Sequence, residues 1–403
     1  MRNLDLKTIT ISLKNLQAKP VRTACLCIVV AILSFTLFGG SILALNLRQG
    51  LDTMTRRFGA DLMVVPEGTS EKAQALLLRG ENSFFYFDAG IVDVVAGTEG
   101  VVCASPQFFL TSLSTECCDA AVQLIAYDPA TDFVVQPWIA EKRHGFINDG
   151  QVIVGNRIEI HRNGTIKLFN TEYPVAAQLS KSASGYDTSI FMTMNTMRQL
   201  INNAHELKYN FLADRYEGDV ISAVLIKADP ARSPSLLAWD IRKQNEGVEV
   251  LISQGIFARI AGTISGLVKY IHIFSIALWA LAIIVLSTVF SGTIHERKKE
   301  FAILRIMGAT RKKLVGIVLN ESLIAGIAGG FAGVVLASLA VFPFSTYISE
   351  QLELPYLDAP FFYIVLLVFG SLLLSAVVGP LSSLYSALRI SRAETYFTMR
   401  DGE

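Results

Sequence analysis

The sequence predicts an α-helical membrane protein with four transmembrane helices and a large α+β extracytoplasmic domain inserted between the first and second spans. Three observations carry this prediction. The 403 residues are 52% hydrophobic and only 17% charged. Residues 24–45, 270–293, 314–342 and 361–384 are almost free of ionisable groups, and each reaches the roughly 20 apolar residues that cross a hydrocarbon core about 30 Å thick. The zero net charge also hides a segregation. Residues 1–23 hold five Lys/Arg against one acid, residues 295–313 hold seven against two, and residues 343–360 hold none. Positively charged loops stay cytoplasmic, so both termini and the 295–313 loop are assigned to the cytoplasm. Residues 46–255 and the short 343–360 loop are assigned to the other side.

Taken in order, residues 1–23 form a cytoplasmic amphipathic helix at the membrane surface, with Leu6, Ile9, Leu13 and Leu16 on one stripe. Pro20 ends or kinks it, and Arg22 snorkels at the start of the first span. The span at 24–45 is too long an apolar run, without a small-x-small cleavage site, for a signal peptide. Within 46–255, short helices are expected at 70–78, with Ser70 as N-cap, and at 88–96, 195–203 and 235–245. Strands are expected at 62–65, 101–103, 120–126, 221–228 and 248–252, with several more between 151 and 193. Asn163-Gly164 is the strongest local hairpin signal in that run. This alternation suggests split βαβ units flanking a β-rich insert. A helical stalk carrying Arg259 and Lys269 then leads into the second span, so that residues 256–294 read as one rod. Gly326, Gly329, Gly330 and Gly333 in the third span allow close helix packing, within the subunit or against a second copy. The fourth span at 361–384 leads to a cytoplasmic tail, 385–403.

The most informative stretch is residues 296–314, ERKKEFAILRIMGATRKKL. Good helix formers and an apolar arc of Phe301, Ile303, Leu304, Ile306 and Met307 predict a short helix beside the membrane. Gly308 is placed to stop it in a left-handed conformation, and Thr310 to cap the next helix. Glu321, two turns into the third span, calls for a partner. An uncompensated carboxylate at mid-bilayer costs roughly 2.5–3.5 kcal/mol, so Glu321 is expected to face a partner, in a structural tie or in a proton relay. Cys103, Cys117 and Cys118 lie in the inserted domain. Outside the cytoplasm, Cys103 paired with Cys117 or Cys118 is the candidate disulfide. Cys117 and Cys118, supplemented by Met192, Met194 and Met197, are candidate soft-metal ligands. The chain has no G-x-x-x-x-G-K-[ST] loop, no HExxH and no nucleophile elbow, so no catalytic site is assigned.

ERKKEFAILRIMGATRKKL closely resembles a segment of FtsX-like ABC transporter permeases of the MacB and lipoprotein-release group. The opening SLKNLQAKPVRTACLCIVVAILS, FGADLMVVPEGT after the first span, GYD with IFMTMNTMRQL, and the tail SALRISRAETYFTMRDG are also similar, with Ala393 where proline is usual. The similar permease region runs over about 270–395. The resemblance implies that 296–314 is a coupling helix, with Phe301, Leu304, Met307 and Gly308 docking into an ABC ATPase subunit and Glu300 and Arg305 making polar contacts. It implies two ATPase copies holding ATP and Mg2+, no cofactor in this chain, a second identical or paralogous permease copy, membrane lipid and a periplasmic partner. Nucleic acid is not among the expected partners. It also implies a bacterial inner membrane, and substrate transport or export driven by mechanical transmission. The alternative is an ATPase-driven signalling module acting on an extracytoplasmic enzyme or sensing a ligand.

Overall fold

The computed structural model describes residues 2–112, 117–140, 147–208, 219–345, 347 and 355–392. Ala393 and the tail beyond it lie outside the described residues. The chain divides into two compact units. One comprises residues 1–46, 265–348 and 358–403. The other comprises residues 47–264 with 349–357.

Four helices are long and apolar enough to cross a membrane among the described residues, Pro20–Phe58 (α2), Ser253–Glu296 (α8), Arg311–Val341 (α10) and Phe361–Arg392 (α11), the first unit holding α10, α11 and the larger parts of α2 and α8. A short helix, Arg2–Ala18 (α1), precedes them, and Lys298–Ile306 (α9) sits between α8 and α10. Gly326, Gly329, Gly330 and Gly333 of α10 serve packing within this chain, on two faces. A Cβ at Gly329 would come within 2.6 Å of the Cys27 carbonyl, and one at Gly333 would strike the Ala31 carbonyl of α2. Gly326 and Gly330 face α11, where a Cβ would meet the Ser375 carbonyl at 2.8 Å and the Ser375 Cβ at 2.7 Å. Small hydroxyls then bond across the close approaches. Ser34 Oγ donates to the Gly330 carbonyl (2.9 Å), and Ser383 Oγ to Ser322 Oγ (3.1 Å). The outward faces of α8, α10 and α11 keep exposed apolar side chains, among them Phe274, Ile284, Phe331 and Phe369.

The second unit is built on a nine-stranded mixed sheet. Its strands are Leu62–Pro66 (β1), Val101–Thr111 (β3), Gln123–Tyr127 (β4), Val152–Val154 (β5), Thr165–Leu168 (β6), Thr171–Gln178 (β7), Ser189–Thr193 (β8), Ala223–Ala228 (β10) and Val248–Ile252 (β11), in the order β11-β1-β10-β3-β4-β8-β5-β7-β6. Phe87–Asp88 (β2) and Val220–Ile221 (β9) form a separate two-stranded ribbon. The helices are Ser70–Arg79 (α3), Ile91–Ala96 (α4), Gln136–Ala140 (α5), Met194–Glu206 (α6) and Pro234–Gln244 (α7). The region 151–193 is therefore no separate insert. It extends the sheet through the parallel pairing of β4 with β8. The first and last strands pair antiparallel, Leu62 opposite Ile252. The end of α2 and the start of α8 thus enter the unit side by side, with Phe58 and Phe257 edge to face at 5.5 Å.

Three local expectations are corrected here. Ser70 does not cap α3; Thr69 holds that position and spends its hydroxyl on the Pro66 carbonyl (2.7 Å). The strand expected at 101–103 runs to Thr111, pairing with β10 as far as Gln107 and with β4 from Gln107 onward, where Phe108, Phe109 and Leu110 are buried. Asn163-Gly164 makes a turn that precedes β6, with the Gly164 N–H donating to the His161 carbonyl. The hairpin instead turns at Phe169-Asn170, where both residues have positive φ (48° and 61°) and Leu168 faces Thr171. A left-handed Phe costs free energy, which full burial of its ring offsets.

Gly185-Tyr186-Asp187 is structural. A Cβ at Gly185 would strike the Leu76 carbonyl where α3 ends, and Tyr186 is buried. Asp187 accepts from the Ser182 N–H (2.7 Å), the Ser182 hydroxyl (2.8 Å) and the Ala183 N–H (2.9 Å). Burial pushes its carboxyl up while these donors pull it back down.

Candidate functional site

The segment between α8 and α10 is shaped by its own sequence at both ends. Gly308 adopts φ +92°, and the Ala309 N–H donates back to the Leu304 carbonyl, closing α9. Space around Gly308 is open, so glycine is needed there for the backbone and not for packing. Thr310 then caps α10, its hydroxyl accepting from the Lys313 N–H (3.4 Å).

Between these caps, Arg297 occupies the single-residue joint separating α8 from α9 and is buried. Its Nη1 donates to both oxygens of Glu321 (2.9 and 3.1 Å) on α10, and its Nε donates to Glu300 (2.6 Å) on α9. The guanidinium also lies 5.2 Å from the centre of the Phe301 ring. Glu321 receives two further partners from the start of the chain. Asn15 Nδ2 of α1 donates at 2.8 Å, and Arg22 Nη2 of α2 lies at 3.6 Å. One carboxylate thus joins α1, α2, the α8–α9 joint and α10. Ser12 Oγ, one turn before Asn15, adds a bond to the Ile317 carbonyl (3.1 Å). The α1 face that packs on α10 is therefore the polar Ser12/Asn15 side, while Leu13 of the predicted stripe points outward.

The predicted docking residues divide between the two faces of α9. Phe301 is 3% exposed and packs with Leu314 and Val318 of α10, so it is corrected from a docking residue to the anchor of α9. Leu304 is half-buried in the same cluster. Glu300 is engaged by Arg297, and Arg305 is half-buried. Met307 and Gly308 are exposed. The outward face consists of Ile303 (54% exposed), Ile306 (65%) and Met307 (70%). Ile303 and Ile306 belong to the predicted apolar arc and stand outside the expected docking set of Phe301, Leu304, Met307 and Gly308. Helical spacing separates 301/304 from 303/306/307, but sequence does not say which side α10 covers.

The expected disulfide is corrected. None of the five cysteines is in a disulfide. Cys103 lies near the start of the long strand β3, with its thiol 3.5 Å from the Thr131 carbonyl. Cys117 and Cys118 lie beyond the other end of that strand, against Phe169 and Asn170. Their own sulfurs are 3.1 Å apart. No group of three His, Cys, Asp or Glu poised for a metal occurs among the described residues. Met192 in β8 and Met197 in α6 are both buried in one core cluster, and Met197 and the partly buried Met194 border an open cleft of about 770 Å³ with Asp149 and Arg198. Asp149 is held below the usual carboxylate range by bonds from Thr193 and Asn195.

Four helices apolar and long enough to cross a membrane, with an α+β unit inserted between the first and second and a short helix latched between the second and third, define a polytopic membrane protein. Residues 272–395, which include α9, match the FtsX-like permease C-terminal family. The chain is 26% identical over 253 residues to an uncharacterised ABC transporter permease of Methanocaldococcus jannaschii, covering 60% of this chain and 58% of that protein. It therefore spans a little over half of that relative's length. Among solved structures, the periplasmic region of MacB from Actinobacillus actinomycetemcomitans is similar at 10% identity and TM-score 0.32, covering 51% of this chain and 95% of that one. The extracellular domain of the noncanonic ABC-type transporter YknZ from Gram-positive bacteria is similar at 10% identity and TM-score 0.27, covering 48% and 98%.

Proposed function

We propose that this chain is the membrane subunit of an ABC transporter, driven by separate ATPase subunits that dock on α9 and working as a pair of permease copies in a cytoplasmic membrane. The observation that carries the reading is the division of α9. One face is fixed to α10 through Phe301, Arg297 and Glu300, while Ile303, Ile306 and Met307 stand uncovered. A helix anchored on one side and apolar on the other transmits a push without bending. The Arg297–Glu321 latch carries that push into α1, α2 and α10 together, and α2 and α8 continue as helices into the inserted unit, whose movement drives substrate transport. The latch turns ATPase closure into helix motion because the partners of Glu321 lie on separate elements.

The test uses the exposed face. Ile306→Glu places a charge where the ATPase would bury an apolar side chain, a change worth about 2 kcal/mol or more at an interface core, and should reduce ATPase co-purification at least tenfold. The variant should still insert in the membrane and melt at the wild-type temperature, because Ile306 contributes nothing to the α9–α10 packing. Undiminished co-purification of Ile306→Glu and of Met307→Glu would sink the docking assignment.

A further inference from the structure

Cys117 and Cys118 are buried side by side, with one thiol hydrogen-bonded to the other at 3.1 Å. They hold the hairpin turn between β6 and β7. The Phe169 N–H donates to Cys118 Sγ (3.3 Å), and the Asn170 N–H donates to the Cys117 carbonyl (2.8 Å). The next residue continues the strap, with the Asp119 N–H donating to the Lys167 carbonyl (3.1 Å) and the Lys167 N–H to the Asp119 carboxylate (2.6 Å). Both donors held by the cysteine pair belong to residues with positive φ. The turn is thus the strained part of an edge hairpin, since β6 ends the sheet.

We propose that Cys117 and Cys118 form a reversible vicinal disulfide that sets the conformation of the β6–β7 hairpin. The sulfurs need to close by only about 1 Å to reach the roughly 2.05 Å bond. The oxidant is a disulfide of the thiol–disulfide exchange class. The thiolate of one cysteine attacks a sulfur of the R–S–S–R oxidant, breaking its S–S bond and releasing one RSH that takes up the cysteine's proton. The second cysteine then attacks the mixed disulfide at the protein sulfur, forming the Cys117–Cys118 bond and releasing the second RSH with the second proton. Two protein thiols are oxidised and one disulfide is reduced. Adjacent Cα atoms are about 3.8 Å apart, closer than the 4.4–6.8 Å usual across a disulfide, so the ring must twist the Cys117–Cys118 peptide unit. That unit contains the carbonyl bonded to Asn170, and the same closure moves the sulfur bonded to Phe169. Oxidation therefore withdraws both acceptors from the turn, and reduction restores them.

The full-length wild-type protein in detergent tests this without any substitution. It is equilibrated with oxidised and reduced glutathione at a series of ratios, quenched in acid, alkylated with a maleimide, and mapped by mass spectrometry over the peptide containing 117 and 118. The expected result is conversion from two maleimide adducts to none on one unlinked peptide, reversed by dithiothreitol. Hydrogen exchange at the Phe169 and Asn170 amides should rise about tenfold in the oxidised form. The proposal is overturned if both thiols stay alkylatable at ratios that fully oxidise the urea-unfolded chain, or if glutathione adducts or linked dimers accumulate in place of the ring. Ring formation with unchanged exchange at 169 and 170 overturns it equally, because the hairpin then does not respond.

Discussion

Glu321 is 2% exposed and lies within a membrane span, yet it is surrounded by donors. Removing one partner of such a group leaves a buried charge, which costs about 3–5 kcal/mol, whereas replacing both partners by apolar groups of similar volume is often close to neutral. Glu321→Leu alone should therefore lower the melting temperature of the solubilised protein sharply. Arg297→Met with Glu321→Leu should recover most of the loss and, under the proposed function, should still uncouple ATP hydrolysis from transport. Thermal unfolding of the three proteins separates a stabilising role from a transmitting one. Asp132 is a second buried acid, in the inserted unit. Its Oδ2 accepts from the Val135 and Gln136 N–H groups at the start of α5, its Oδ1 is buried without a hydrogen-bond partner, and burial raises its carboxyl to about 6. The folded state then holds a proton that the unfolded chain has lost, so this contribution to stability is full below about pH 4 and disappears as pH rises through about 6. Asp132→Asn should flatten the pH dependence of melting across that window and stabilise the protein at pH 8 by up to about 3 kcal/mol. A wild-type slope across pH 4–7 retained by the variant would assign it elsewhere. Neither group's environment was legible in sequence to the same degree. Glu321 was marked by its apolar neighbours, but its partners come from 24, 299 and 306 positions away. Nothing around Asp132 sets it apart from an exposed helix cap.

Element by element, legibility followed locality. Gly308 and Thr310 could be read because a left-handed stop and an N-cap are decided within a few residues. The covered face of α9 could not, because it depends on where α10 lies. The β6–β7 turn was misplaced for a similar reason. Asn-Gly has the stronger intrinsic turn preference, but burial of the Phe169 ring and the bonds from residues 117 and 118 select the later position. Gly329 and Gly333 show the same division. Their spacing announced a close approach, and only the packed helices identify the partner as α2 of the same chain. A Gly333→Leu side chain has no room between α10 and α2 and must force them apart, a change typically costing about 1–3 kcal/mol and more where backbone must move. Reduced melting temperature and loss of activity are expected, with Gly316→Ala, which meets open space, as the neutral control. Equal behaviour of the two variants would mean that the α2–α10 seam is not a tight one.

At the scale of the molecule, α2 has 39 residues and α8 has 44, or roughly 58 and 66 Å at 1.5 Å per residue. Both far exceed the about 30 Å that a hydrocarbon core requires. Each helix belongs to both compact units, and α8 passes from one to the other at Ile264 and Ser265. If the proposed function holds, the surplus length is the transmission itself, and its stiffness should matter more than its side chains. Gly262 allows both directions of that argument to be examined at one site, since a Cβ there meets nothing. Gly262→Ala raises helix propensity by about 1 kcal/mol and should leave transport intact or improve it. Gly262→Pro removes a backbone hydrogen bond and kinks the helix at a cost of about 3 kcal/mol. It should abolish transport while ATPase association and basal ATP hydrolysis persist, because α9 lies more than 30 residues further along the chain and keeps its own anchor in Phe301 and Arg297. Transport at the wild-type rate by the proline variant would exclude α8 as the mechanical link and leave α2 to carry the motion alone.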